Sequence, residues 1–471
     1  MLFNSIEFLV FFAAVLVIWP LVRSRNNRRW AGLVAASLFF YGWWDWRFLF
    51  LLIGSGLIDY TAGLAMARRP RHRSAWLIVS IAGNLGTLAT FKYLDFLIDN
   101  ANGLLPLLGV DLRLPRAGLI LPIGISFYTF QSMSYTIDVY RGRLQPTRNI
   151  LHFFAYLAMF PQLVAGPIVR ASHLLPQLAE TPHPTERDRW EGLRLIVHGY
   201  FKKVVIADTL APVVGAAFGA TTVVDSGLYW WVIMTMFALQ IYGDFSGYSD
   251  IARGLARWMG YDFPLNFNHP YIASSLRDFW GRWHISLSTW FRDYVYIPLG
   301  GSRRGARSAH VNMWITMVVS GLWHGAAWTF VGWGALHALY LSLERLTDWP
   351  RRLARLPGGR HLATALVFVL IVVAWVFFRA ESFGQAWSVL ALMFNVGRLD
   401  PEPIRELIHW RDLLPVAAMG LYHLYLHLGL DSARWPAWNL RPLLQPAALA
   451  ALIWACIFLR GPGNAFIYFQ F

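Results

Sequence analysis

Charge is scarce in this chain of 471 residues: Asp, Glu, Lys and Arg make up only 14% of it, against about a quarter in soluble domains. So little polar surface cannot wrap a water-soluble fold of this length. Cysteine is nearly missing as well. The lone Cys456 excludes an intramolecular disulfide and any multi-cysteine metal centre. The chain has no G-x-x-x-x-G-K-[ST] phosphate loop, no H-E-x-x-H zinc pair and no G-x-S-x-G nucleophile elbow, which removes the commonest routes to NTP, zinc and acyl-serine chemistry. No metal site is expected. Alternating segments of ~10 residues, the mark of a membrane barrel, are missing too.

What the sequence does have is apolar residue, 56% of the chain, with a mean hydropathy of +0.43. It falls in about a dozen blocks, several of the roughly 17–25 residues that cross a hydrocarbon core as a helix. An all-α polytopic integral membrane protein follows, because a helix satisfies its own backbone in lipid. The first block opens directly after Met1–Glu7, with no basic leader region and no small-residue cleavage site, and reads as a retained span. Residues 1–471 read as a single transmembrane domain; the longest polar stretches, Arg170–Glu191 and Arg379–Arg411, read as loops. The net charge is +15, but its arginines sit in short loops between blocks, so their partner is the lipid bilayer and not nucleic acid. Clusters at Arg23–Arg29, Arg68–Arg73 and Arg141–Arg148 follow the first, third and fifth blocks. That places the N-terminus outside and those loops in the cytoplasm.

Between Leu151 and Arg303 simple span counting fails. The stretch "PQLVAGP" (Pro161–Pro167) interrupts its block, and non-helical backbone at membrane depth belongs inside protein or against a wet cavity. A cavity is expected there. In "SGLWHGAAWTFVGWGALHAL" (Ser320–Leu339), His324 lies inside the apolar block Val311–Phe330, flanked by Trp323 and Trp328 and by Gly321 and Gly325. A polar group in such a block needs a partner or a task. Two readings stand: a catalytic imidazole, or a helix-packing glycine face with His324 bonded to a carbonyl. His337 reads as an interhelical hydrogen-bonder. The segment Leu276–Gly301 interleaves Arg277, Asp278, Arg282, Arg292 and Asp293 with Trp280, Trp283, Trp290, Phe291 and Tyr294. Two compatible readings apply, with elements of both expected: an amphipathic interfacial helix on the cytoplasmic face, and the mouth or wall of a cavity with His284 pointing inward and Arg282 and Arg292 attracting an anionic substrate. In Ile241–Leu255, Asp244 and Tyr248 either line a helix break at a cavity or, for the carboxylates, pair with nearby arginines. Lys202, Lys203 and Asp208 either snorkel or pair internally. Histidine without a metal set or an evident nucleophile suits general-base work on a hydroxyl attacking an activated acyl group.

At these residues the chain resembles the membrane-bound O-acyltransferase family, and within it the bacterial alginate O-acetyltransferase-like branch. The resemblance runs in order through Leu121–Gly142, Phe160–Arg170, Gly199–Ala211, "YGDFSGYSDIARGLARWMGYDFPLNFNHPY" (Tyr242–Tyr271), "FWGRWHISLSTWFRDYVYIPLGG", "SGLWHGAAWTFVGWGALH" and the terminal "NAFIYFQF" (Asn464–Phe471).

The resemblance implies a ring of about 11–13 tilted transmembrane or re-entrant helices around a central funnel or tunnel, with shorter cytoplasmic helices near its mouth. It places the family's membrane-embedded histidine on His324 and a second active-site residue on His284. Trp323, Arg282, Arg292, Asp244 and Tyr248 become candidates for the donor and acceptor path. No bound cofactor is expected; acetyl-CoA or another acyl thioester is the donor substrate. The acceptor is a polysaccharide: alginate-like exopolysaccharide, cellulose or peptidoglycan. An SGNH-hydrolase-like extracytoplasmic acetyltransferase is the expected partner, and the bacterial inner membrane the expected location. The competing class is a transporter or flippase without acyl chemistry, which midplane polar groups would also suit.

Overall fold

The protein, a computed structural model, is described over residues 1–427, 441–464 and 466–467; the end of the terminal motif and the last residue of the expected span Leu413–Leu428 lie outside them. Every regular element among the described residues is helical. The helices form two compact units, one of Met1–Leu195 with Ile251–Pro264 and the other of Ile196–Asp250 with Leu265–Phe471.

In the first unit, helix α1 (Ile6–Val22) starts where Ser5 accepts the backbone N–H of Phe8 at 3.2 Å, one of the donors a helix start leaves unpaired. Helix α2 (Asn26–Gly42) returns after a tight basic turn. That turn is pinned by Arg29, fully buried, which donates to Arg23 O, Asn26 Oδ1 and Leu178 O. Helices α3 (Leu49–Arg68), α4 (Arg73–Leu88) and α5 (Ile125–Tyr140) pack together around buried Asp59. Its carboxylate takes Ser80 and Ser132 hydroxyls and both oxygens take the Asn84 amide. A carboxyl within a spanning helix is tolerable only with its lone pairs occupied in this way.

Among the described residues, three helical stretches are long and apolar enough to cross a membrane: Trp46–Arg68, Pro70–Leu108 and Gly359–Arg379. Shorter apolar helices cover Ile6–Val22, Phe383–Met393 and Gln445–Phe458.

Several expected spans are not single helices. The block Leu151–Ile168 holds helix α6 (Ile150–Leu157), a break, and one turn at Phe160–Leu163. Pro161 lacks a donor, and a Cβ on Gly166 would stand 2.4 Å from Gln162 Cα, so the chain turns back on itself there. Residues 161–169 are all buried. The broken backbone is therefore satisfied inside protein, one of the two circumstances that permit it.

In the second unit, helix α7 (Glu186–Tyr200), whose first part belongs to the first unit, runs through a π-helical turn at Phe201–Ala207 into a helix at Asp208–Gly219. Helix α8 (Gly227–Met259), whose part from Ile251 belongs to the first unit, is 33 residues long and continues through "GDFSGYSD" without the break considered from sequence. Its glycines explain the continuity. A Cβ on Gly247 would lie 2.6 Å from Gly199 O, and one on Gly243 3.0 Å from Lys202 O. Small residues at i and i+4 give one face against which another backbone lies flat.

The segment Leu276–Gly301 is no single amphipathic helix. It comprises α9 (Leu276–Arg282), α10 (Ile285–Phe291) and a π turn at Arg292–Tyr296, with the break at Trp283–His284. Helices α11 (Ala306–His324) and α12 (Trp328–Thr347) follow as a close pair, and α13 (Gly359–Arg379) packs on α12. The block Val311–Phe330 is thus divided by a turn at Gly325–Ala327. The reason is steric: a Cβ on Gly325 would lie 2.1 Å from the Phe330 ring, and one on Gly321 2.2 Å from Phe330 O. Gly334 makes the reciprocal approach to Met317 O, so glycines seal the α11–α12 contact, as the packing reading of Gly321 expected.

Candidate histidine site

His324 occupies the last position of α11 and is 3% exposed. It lies at a helix end rather than in mid-helix. Its imidazole is boxed by Trp323, Trp333 and Phe378, with ring centroids 5.0, 5.1 and 5.4 Å away. These rings come from α11, α12 and α13, so three helices fix one side chain. The C-terminal carbonyls of α11 put the negative end of the helix dipole beside it.

His284 is fully buried, and its backbone is in the left-handed region with φ of 42°, a conformation that costs an L-residue about 1–2 kcal/mol. Asn266, also fully buried, holds it there. Its backbone carbonyl accepts Ile285 N–H at 2.9 Å. Its Oδ1 accepts Ser286 N–H at 3.2 Å and Ser286 Oγ–H at 2.9 Å, and its Nδ2 donates to Ser249 Oγ at 3.1 Å. Asn266 thereby caps the start of α10 from a separate segment.

These bonds also assign the proton on His284. A backbone N–H can only donate, so the atom facing Ser286 N is the Asn266 oxygen, which can only accept. The same oxygen lies 3.2 Å from His284 Nδ1. Nδ1 carries the hydrogen in the neutral ring, and Nε2 is left with its lone pair as an acceptor.

The His284 ring packs on Phe245 at 4.6 Å, Phe267 at 6.2 Å and Trp323 at 6.2 Å. Trp323 therefore touches both histidines. Around this trio runs a continuous aromatic lining: Trp283 on Trp375 at 5.1 Å, Trp375 stacked on Trp333 at 5.9 Å, and Trp333 on Phe378 at 5.4 Å. Two imidazoles in a largely apolar enclosure are well suited to proton transfer, since such surroundings exclude water and strengthen each polar contact.

The other residues singled out from sequence fall elsewhere. Asp244 belongs to a buried ion cluster: Lys203 Nζ lies 2.8 Å from Asp244 Oδ1 and 2.9 Å from Asp208 Oδ1. Asp244 Oδ2 accepts Ile467 N–H at 2.7 Å, and Lys203 also donates to Asn464 O at 3.0 Å. Pairing was foreseen, but the cations are lysines and not arginines; Lys202 pairs with Asp250 at 2.6 Å. Tyr248 is buried one turn on from Asp244, its ring 5.0 Å from Phe466. Arg282 is partly exposed and bonds Asp278 at 2.7 Å; Arg292 is 60% exposed and bonds Asp293 at 2.8 Å. His337 makes no interhelical hydrogen bond at Nδ1 among the described residues. It packs instead between Trp333 at 4.7 Å and Trp280 at 5.0 Å, because the face of α9 turned to it is aromatic.

Asn266 went unremarked in the sequence. Its segment, "PLNFNHPY", has no periodicity to mark it, and its importance arises only where the chain doubles back on His284. No group of three or more His, Cys, Asp or Glu side chains suited to a metal occurs among the described residues.

The family model for membrane-bound O-acyltransferases matches residues 141–384, a span holding both histidines and Asn266. "Probable alginate O-acetylase" of Azotobacter vinelandii is 42% identical over 369 residues, covering 78% of this chain and 72% of that protein. The protein of the same name from Pseudomonas aeruginosa is 40% identical over 403 residues, covering 84% and 75%. A "Peptidoglycan O-acetyltransferase" of Helicobacter pylori is 37% identical over 392 residues, covering 77% and 73%. With these likenesses running through the site and most of the chain, the protein belongs to the membrane-bound O-acyltransferase family and is a polytopic membrane acyltransferase.

Proposed function

We propose that this acyltransferase takes an acetyl group from a cytoplasmic thioester, acetyl-CoA, and delivers it for O-acetylation of an extracytoplasmic polysaccharide. In this reading the chain crosses the bacterial inner membrane several times, with its arginine-rich turns on the cytoplasmic side. An SGNH-hydrolase-like acetyltransferase completes the transfer to alginate-like exopolysaccharide or peptidoglycan, the polymers in the names of its relatives. The observation that carries the chemistry is the pair of buried imidazoles on one tryptophan, His284–Trp323–His324.

In the proposed step, the acceptor hydroxyl adds to the thioester carbonyl carbon while His324 takes its proton. The carbon–sulfur bond then breaks, and the thiolate leaves with that proton. The end of α11 favours the positive charge that His324 holds in between. His284 presents Nε2 as an acceptor, so it orients the attacking hydroxyl, whereas a carbonyl-polarising role would need a donor there. The aromatic lining keeps water from the thioester.

Purified protein given radiolabelled acetyl-CoA, with and without an SGNH-type partner and polymer, tests the reading. Label is expected to reach the partner or polymer only when the membrane protein is present. Label crossing a vesicle membrane with no covalent transfer would support a transporter instead. In the same assay, Asn266→Ala is expected to lower kcat by about 10²-fold, the scale of an ångström's misplacement, with less effect on donor KM. Asn266→Asp, which keeps an oxygen facing Nδ1, is expected to retain more activity; equal losses would reduce Asn266 to a folding role.

A further inference from the structure

A concave slot lies in the first unit, on the α1–α2 pair, and shares no lining residue with the histidine site. It encloses about 680 Å³, within the range of small-ligand cavities. Ala14, Gly32, Ala35 and Ala36 are among its lining residues, as are the larger Phe11, Trp19 and Phe39. Its lining follows α1 from Ile6 to Val22, a helical length of roughly 24 Å at 1.5 Å per residue. Glu7 is the one charged residue in the lining, and it stands at the end away from Val22.

The opposite end leads into the turn "RSRNNRR". Val22 lines the slot, and Arg23, Arg25 and Arg28 follow it in the next stretch of chain, Arg25 and Arg28 exposed. Buried Arg29 ties this region to Arg23 O and Leu178 O, so Arg23 and Arg25 stand on a fixed turn and Arg28 in the first turn of α2. A long apolar slot of membrane-helix length with fixed positive charge at one mouth matches one chemistry: an acyl chain whose headgroup is an anion. A flat lipid-facing helix lacks both the concavity and the charge, and a neutral lipid would leave the arginines without a counterpart.

We propose that the α1–α2 slot binds an anionic phospholipid, its acyl chain between the helices and its phosphate at the Arg23–Arg28 turn.

The test uses the full chain in nanodiscs doped with phosphatidylglycerol carrying a diazirine in its acyl chain, beside phosphatidylcholine with the identical chain. After irradiation, adducts are mapped by peptide mass spectrometry. Adducts are expected to concentrate in residues 6–42, with phosphatidylglycerol exceeding phosphatidylcholine by at least about fivefold, the factor one arginine near an anionic headgroup supplies. Ala36→Trp, which fills the slot, is expected to lower these adducts to the level seen on Gly359–Arg379. The double variant Arg25→Gln, Arg28→Gln alters only exposed side chains and is expected to erase the headgroup preference while leaving phosphatidylcholine adducts unchanged. Equal labelling by the two lipids on the unaltered chain, or adducts spread evenly over the apolar helices, overturns the proposal.

Discussion

Replacing His324 by alanine is expected to lower acyl transfer by about 10²–10⁴-fold, the contribution of a positioned general base. The expectation rests on placement. The ring sits at a helix end, enclosed by Trp323, Trp333 and Phe378. Alanine also leaves a hole among those three rings, and a fall in stability could be mistaken for a catalytic loss. His324→Phe separates the two effects, because it keeps a ring in the box and removes the nitrogens. Both variants should be purified, shown to melt as one species, and assayed with labelled donor. Phe at this position with near-normal transfer would refute the base assignment, whatever alanine does. His284→Ala is expected to reduce transfer less, since its acceptor nitrogen orients rather than removes a proton in the proposed step.

The largest expected effect on stability is at Lys203. Its ammonium lies between Asp208 and Asp244, and all three side chains are nearly fully buried. Lys203→Met leaves two carboxylates facing each other without their cation. Breaking a buried pair from one side costs about 3–5 kcal/mol. It also frees Asn464 O, which accepts from the same ammonium, so the segment around Asn464 is expected to become more susceptible to protease. Adding Asp208→Leu and Asp244→Asn to Lys203→Met is expected to restore much of the loss, because the damage comes from the unpaired charges and not from the missing contact. Melting in detergent, followed by size-exclusion recovery, reads both outcomes. A triple variant no more stable than Lys203→Met alone would mean that the cluster stabilises by attraction in its own right.

Much of the class was legible without coordinates. Scarce charge and long apolar blocks dictated spanning helices, since lipid offers backbone groups no alternative partners. His324 stood out because an imidazole in an apolar block is costly. Helix breaks were harder to read. Val311–Phe330 has the composition of one span, yet a ring contact at Gly325 turns the chain. "GDFSGYSD" looks like a break, yet its glycines fit against a neighbouring backbone and the helix runs on. In both cases glycine's meaning depends on what approaches it, and that neighbour is distant in sequence.

The sequence by itself determined the helical membrane class, the acyltransferase resemblance and the two histidines as candidates, because composition and ordered motifs are properties of the chain. Tertiary structure decided that His284 and His324 share Trp323, that Asn266 sets the His284 tautomer, and that Asp244 is held by Lys203. The contacts His284–Trp323, Asn266–His284 and Lys203–Asp244 join residues 39, 18 and 41 positions apart. Period and spacing cannot encode such contacts; packing brings them about, and the cost of burying a polar group unpaired determines which of them persist.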